Sequence, residues 1–252
     1  MTWLDTIILF LGSLLANTLA ALSGGGAGLL QFPLLIFLDL PFGQALATHK
    51  VASVALGLGA ALTHVRSGQL PLKFALYLTL TGAAGAVVGA NLILHISTQF
   101  AETLLGVMIL ALGVYSRIQA ELGQQESPQN RTVFGFTIGA LGLFMIGVTN
   151  GSLTAGSGLL VTLFLVRFFG FAYKQAVALT LVCVGLFWNG IGGAAVVWAG
   201  APIYWPWLPI LLLSSLLGGA LGAKLALKQS NRTIKLAFEL LTVLVGLKLL
   251  FS

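Results

Sequence analysis

Apolar residues fall in ten stretches along this chain, at about 4 to 22, 27 to 39, 44 to 65, 73 to 95 and 99 to 118, then 133 to 149, 157 to 169, 175 to 199, 207 to 228 and 231 to 251. Most of them reach the roughly 18 residues that mark a membrane-spanning helix. The second stretch of each set of five is the exception. Segments 27 to 39 and 157 to 169 have 13 residues each, about 20 Å of helix, too short for a hydrocarbon core about 30 Å thick. Each follows a glycine-rich break: Ser23 to Leu35 reads SGGGAGLLQFPLL, and Leu153 to Leu163 reads LTAGSGLLVTL. The pattern therefore predicts ten helical segments, two of them short and starting inside the membrane.

The two breaks are one motif written twice. Gly26, Gly28, Leu29 and Leu30 fall on Gly156, Gly158, Leu159 and Leu160 at a constant offset of 130. The register continues through Gln44 and Ala45 on Gln175 and Ala176, and Pro71 on Pro202, at 131. It then drifts to 133, with Gly85, Gly89, Ala90 and Leu92 on Gly218, Gly222, Ala223 and Leu225, and Gly113 on Gly246. A duplicated membrane unit is a signature of transporters. The one long polar stretch, RIQAELGQQESPQNR from Arg117 to Arg131, separates the copies. The expected organisation is a first membrane repeat over 1–118, a polar linker over 119–131 and a second membrane repeat over 132–252.

Composition agrees: 58% of residues are hydrophobic and 7% charged, against about 25% charged in average globular proteins, and the mean hydropathy is +1.03. No positive residue and no small-residue cleavage site marks the first stretch as a signal peptide, so a retained helix is expected. The single Cys183 excludes an intramolecular disulfide and offers no metal cluster. No Gly-Lys-Ser/Thr phosphate loop is present, which argues against ATP hydrolysis on this chain, and no cofactor is implied. The net charge of +6 comes from scattered basic residues at segment ends, which speaks for membrane orientation and against nucleic-acid binding. Five passes per half would turn the second half upside down. One face then collects Arg66, Lys73, Arg117, Arg131, Arg167, Lys174, Lys228, Arg232 and Lys235, nine of the twelve basic residues. By the positive-inside rule that face is cytoplasmic and both termini lie outside. The expected fold is an all-α polytopic membrane protein of two inverted repeats of about five helical segments each, with glycine-broken helices meeting near the midplane.

A broken helix exposes backbone groups that each cost several kcal/mol in hydrocarbon, so such breaks face protein, water or substrate. The short helices starting at Ala27 and Ser157 present free N–H donors and partial positive charge, which suit an anion. The candidate site residues are accordingly Gly24, Gly25, Gly26 and Gly28 at the first break and Thr154, Gly156, Ser157 and Gly158 at the second. Gln31, Thr48 and Asn189 add neutral hydrogen-bonding groups, and Asn17 and Asn150 precede the breaks. Lys50 lies about two turns into its segment, where an intramembrane cation is a functional candidate that would balance an anion. Neighbouring His49 is the candidate proton-coupling residue. His64 and His95, near segment ends, read as interfacial. Glu239 is the one acidic residue well inside a segment, so a carboxylate cation site is poorly supported.

The layout GGGAGLLQFP, then QALATHKVAS, and again TAGSGLLV and KQAVALT, resembles the TauE/SafE sulfite exporter family of membrane permeases over nearly the whole chain. Family sequences often have Gly-Thr-Ser/Asn-Lys where this one has Ala47, Thr48, His49 and Lys50, so Thr48 and Lys50 match and His49 departs. An acidic residue often precedes the second glycines of the family, where Asn150 stands here. The resemblance implies a bacterial inner-membrane carrier of a small sulfur-containing anion, such as sulfite, thiosulfate, a sulfonate or sulfoacetate. The expected partners are that anion and the lipid bilayer, with a homodimer left open. An anion channel and a non-transport assembly protein are the alternative readings. An intramembrane serine protease fails on its residues, because Ala155 stands where a glycine is needed and no histidine follows His95.

Overall fold

The computed structural model describes residues 3–25, 27–66, 70–92 and 98–251. The first half contains α1 (Trp3–Ser23), α2 (Ala27–Phe37), α3 (Phe42–Arg66), α4 (Leu72–Leu92) and α5 (Thr98–Ile118). A non-helical stretch follows over 119–132. The second half contains α6 (Val133–Ser152), α7 (Ser157–Phe169), α8 (Tyr173–Thr180), a π-helical segment (Leu181–Trp188), α9 (Asn189–Trp198), α10 (Leu208–Lys228) and α11 (Asn231–Phe251). Helix α8, the π segment and α9 form one continuous rod, Tyr173–Trp198. Six helices among the described residues are long and apolar enough to cross a membrane, and no strand occurs among those residues. The protein is a multi-pass, all-α membrane protein.

Side chains on the outer faces, such as Leu11, Leu15, Leu76, Leu141 and Leu244, are apolar and exposed, as lipid requires. With lipid as the solvent, helices associate by close packing of small residues more than by hydrophobic burial. Helix α4 lies along α6 and α1 along α10. At the first contact Gly85 and Gly89 meet the α6 backbone at Phe144 and Val148; at the second, Gly218 and Gly222 meet the α1 backbone at Leu14 and Thr18. Helices α5 and α11 also pair, with Gly113 against Thr242 and Gly246 against Leu110.

Polar contacts tie one end of the bundle to the 119–132 stretch. Lys235 Nζ donates to the carbonyls of Gln119 and Ala120 and Asn231 Nδ2 to Gln124 O, while at the same end Lys174 Nζ donates to Leu227 O of α10. Arg117 pairs with Glu239 at 3.4 Å, and Arg131 with Glu126 at 2.8 Å. His64 is fully buried, not interfacial: α3 continues past it to Arg66 and turns its side chain into the bundle. His95 lies outside the described residues.

Candidate anion site between the two helix breaks

Helix α1 ends where Ser23 turns its hydroxyl back onto Leu19 O, and Gly24 and Gly25 follow with φ of +91° and +128°. Those conformations are open to glycine alone at little cost. They let the chain reverse into α2 against the second break. A Cβ on Gly25 would stand 2.6 Å from the Gly158 backbone, and one on Gly28 would stand 2.6 Å from Thr154 Cγ2. Thr162 donates to Gly24 O and hydrogen-bonds Thr180, which fixes the first break to α7 and α8. Helix α6 ends at Ser152; Thr154 and Gly156 have φ of +62° and +75°, and Gly156 caps α7. A β-branched residue at positive φ is strained. Here two backbone bonds from Thr154 N, to Thr149 O and Asn150 O, hold it.

The breaks enclose a cavity of about 30 Å³, room for a water or two. Gly25, Gly28, His49, Ser53, Asn150, Thr154, Ser157, Gly158, Thr180 and Asn189 are among its walls. Ser157 Oγ donates to Thr154 O at 2.9 Å and accepts from Asn150 Nδ2 at 2.9 Å; the same amide donates to Asn189 Oδ1 at 3.1 Å. Lys50 stands directly behind this wall. Its ammonium donates to Asn150 O and to Thr154 Oγ1, both at 2.7 Å, so it closes the carbonyl end of α6. Lys50 is fully buried and forms no ion pair among the described residues.

His49 joins a second network. Gln31 Nε2 donates to Ser13 Oγ at 2.6 Å and Ser215 Oγ at 3.0 Å, which leaves Gln31 Oε1 to accept from His49 Nδ1 at 2.7 Å. His49 Nε2 is hydrogen-bonded to Ser53 Oγ at 3.1 Å. Nδ1 thereby carries a proton, and Nε2 lies on the cavity side. Asn17 belongs to the same network through Ser13 and Ser215, away from the cavity wall.

Of the residues the sequence singles out, the structure brings Gly25, Gly28, His49, Thr154, Ser157, Gly158 and Asn189 to one cavity, with Lys50, Gly156, Gly24 and Gln31 immediately behind. Gly26 lies outside the described residues. Thr48 points elsewhere: it donates to Gln44 O and accepts from Tyr204 N, holding the loop before α10. Sequence reasoning missed Ser53, Thr180 and the π segment. Ser53 lies one helical turn after His49, and Thr180 lies at the 131 offset from it, so both were open to inspection. The π segment brings Leu181, Val184 and Gly185 to the cavity and crosses α3 where Gly57 meets Gly185 and Leu186. π turns are frequent at functional sites, but nothing in the local sequence signals this one.

The sequence model of the family described as "Sulfite exporter TauE/SafE" matches residues 9–249. The chain belongs to the TauE/SafE family. A Haemophilus influenzae relative named "Probable membrane transporter protein" is 26% identical over 245 residues, covering 97% of this chain and 94% of the relative. A Sinorhizobium protein, "Probable membrane transporter protein ORF9", is 26% identical over 96% of this chain and 91% of its own length. "Probable membrane transporter protein YfcA" of Escherichia coli K12 is 22% identical over 97% and 89%. No solved structure matches. Family, relatives and spans together make this TauE/SafE chain a membrane transporter, and the cavity between its helix breaks is its candidate substrate site.

Proposed function

We propose that the chain is a secondary carrier for a small sulfur-containing anion, bound where the two helix breaks meet and moved by rocking of two inverted halves. The observation that carries this reading is Lys50, an ammonium buried in a membrane bundle with no carboxylate partner among the described residues. An uncompensated buried charge costs several kcal/mol, and an anion in the adjoining cavity offsets that cost. The N-termini of α7 and α2 open onto the same region and add partial positive charge. Reciprocal packing supports the duplication: the aligned Gly85 and Gly218 join α4 to α6 and α10 to α1, and the aligned Gly113 and Gly246 face each other's helices. The basic end knitted by Lys235, Lys174 and Arg117 supports a cytoplasmic linker with both termini outside.

Anion uptake into proteoliposomes tests the proposal. Sulfite, thiosulfate and sulfoacetate are offered against chloride, with Lys50→Ala alongside. Saturable uptake of a sulfur anion, with half-saturation raised about tenfold or more in the variant, is the expected result. Equal kinetics in the two proteins would remove Lys50 from the site.

A further inference from the structure

Two polar atoms near the cavity are left with unused capacity, and they face the same point. Lys50 Nζ spends two of its three N–H bonds on Asn150 O and Thr154 Oγ1. Asn150 Oδ1 is buried and has no hydrogen-bond partner. The assignment of that oxygen follows from the network: Ser157 gives its single proton to Thr154 O, so it can only accept from Asn150, which places Nδ2 toward Ser157 and Oδ1 away from it. At Gly192 in α9, a Cβ would stand 3.6 Å from Lys50 Nζ and 3.9 Å from Asn150 Oδ1. The missing side chain of Gly192 thus leaves a small space flanked by one spare donor and one spare acceptor. A bare oxyanion oxygen satisfies the ammonium but repels the amide oxygen. A hydroxyl satisfies both.

We propose that the site selects an oxyanion that carries one negative charge and one O–H, with the hydroxyl beside Gly192 accepting from Lys50 and donating to Asn150 Oδ1. This rests on the anion-carrier reading above and refines its substrate class. Charge agrees with it, because Lys50, directly behind the wall, is the formal cation beside the cavity among the described residues, and no Asp, Glu, Lys or Arg is among those that line it. A singly charged ligand leaves the occupied site neutral, whereas a dianion carries a net charge into the membrane interior. The unmet acceptor sets the selectivity, since a buried carbonyl-type oxygen left without a donor disfavours every ligand that cannot supply one.

The test measures binding of three probes to the purified full-length protein at mildly acidic pH, where sulfite carries one hydrogen: hydrogen sulfite, methanesulfonate and sulfate. Methanesulfonate matches the charge but has no hydroxyl. The wild type is expected to bind hydrogen sulfite about tenfold more tightly than methanesulfonate and to bind sulfate more weakly than either. Gly192→Ala is the decisive variant, because its methyl group meets only ordinary van der Waals contacts, the nearest at 3.5 Å, and alanine suits a helix better than glycine. It is expected to keep or raise the unfolding temperature, to weaken hydrogen sulfite to the level of methanesulfonate, and to leave methanesulfonate within about twofold. Equal affinity for the two monoanions in the wild type, or a preference that survives Gly192→Ala, overturns the assignment while leaving the carrier reading intact. No binding of any probe by the wild type sinks the carrier reading itself, and this assignment falls with it.

Discussion

At the first helix break the chain supplies backbone, and at the second it supplies side chains. Gly24 and Gly25 bring a bare main chain against Thr162 and Gly158. Asn150, Thr154 and Ser157 bring amide and hydroxyl groups to the same cavity. At the offset of 130 those three residues stand where the first half has Ala20, Gly24 and Ala27. The helices that cross the breaks reverse the division. At the offset of 131, His49, Lys50 and Ser53 of α3 stand where the second half has Thr180, Leu181 and Val184. Ala20, Ala27, Thr180, Leu181 and Val184 line the cavity too, so matched positions from both halves meet there. Under the proposed duplication, the shape of the site is made twice and its chemistry once. Each half contributes polar groups where the other contributes clearance, and neither half alone builds the site.

The largest effect is expected where clearance is removed. Gly25→Ala places a methyl 2.6 Å from the Gly158 backbone at a φ of +128°. Strain and overpacking together are expected to cost about 3 kcal/mol or more, read as a lowered unfolding temperature in detergent and loss of transport. An unchanged unfolding temperature would mean that the two breaks do not touch. A smaller effect is expected at His49, where the polar group belongs to the crossing helix. His49 faces Lys50, Gln31, Ser53 and Phe32, and no carboxylate pairs with it among the described residues. His49→Ala is expected to leave uptake active but to flatten its dependence on pH; a profile identical to that of the wild type would refute proton coupling at this residue.

The ten helical segments among the described residues, with the Tyr173–Trp198 rod counted as one, were legible because lipid imposes long apolar runs, and a glycine cluster inside one is hard to explain as packing alone. Segment 157 to 169 is α7 to the residue, and segment 27 to 39 extends α2 by only two. Lys50 was legible as a charge too deep for a loop. What it touches was not, since Asn150 and Thr154 lie about a hundred positions away and no spacing rule links them. Thr48 shows the opposite limit: its hydrogen-bonding hydroxyl and its match to the family pattern made it a candidate, but successive helical residues point about 100° apart, and Thr48 faces Tyr204, away from the side on which His49 meets the cavity. The π segment escaped because it depends on how the rod packs across Gly57, a tertiary constraint with no local pattern.

The finest test of the division between the breaks exchanges their aligned residues. Ser157 gives its proton to Thr154 O and receives one from Asn150, so Ser157→Ala leaves a buried acceptor and a buried donor short of partners. The expected cost is about 1 to 2 kcal/mol. Ala27→Ser adds a hydroxyl at the start of α2, where serine suits a helix N-terminus and no existing side-chain bond is broken. Its expected effect is smaller than that of Ser157→Ala, because no existing hydrogen bond is lost. Both are read from thermal unfolding in the same detergent. Equal losses at the two positions would overturn the expected ranking and show that an added hydroxyl at the first break is as costly as a lost one at the second. A loss at Ser157 alone would leave the first break as a backbone wall, held close because Gly25 has no side chain to keep Gly158 away.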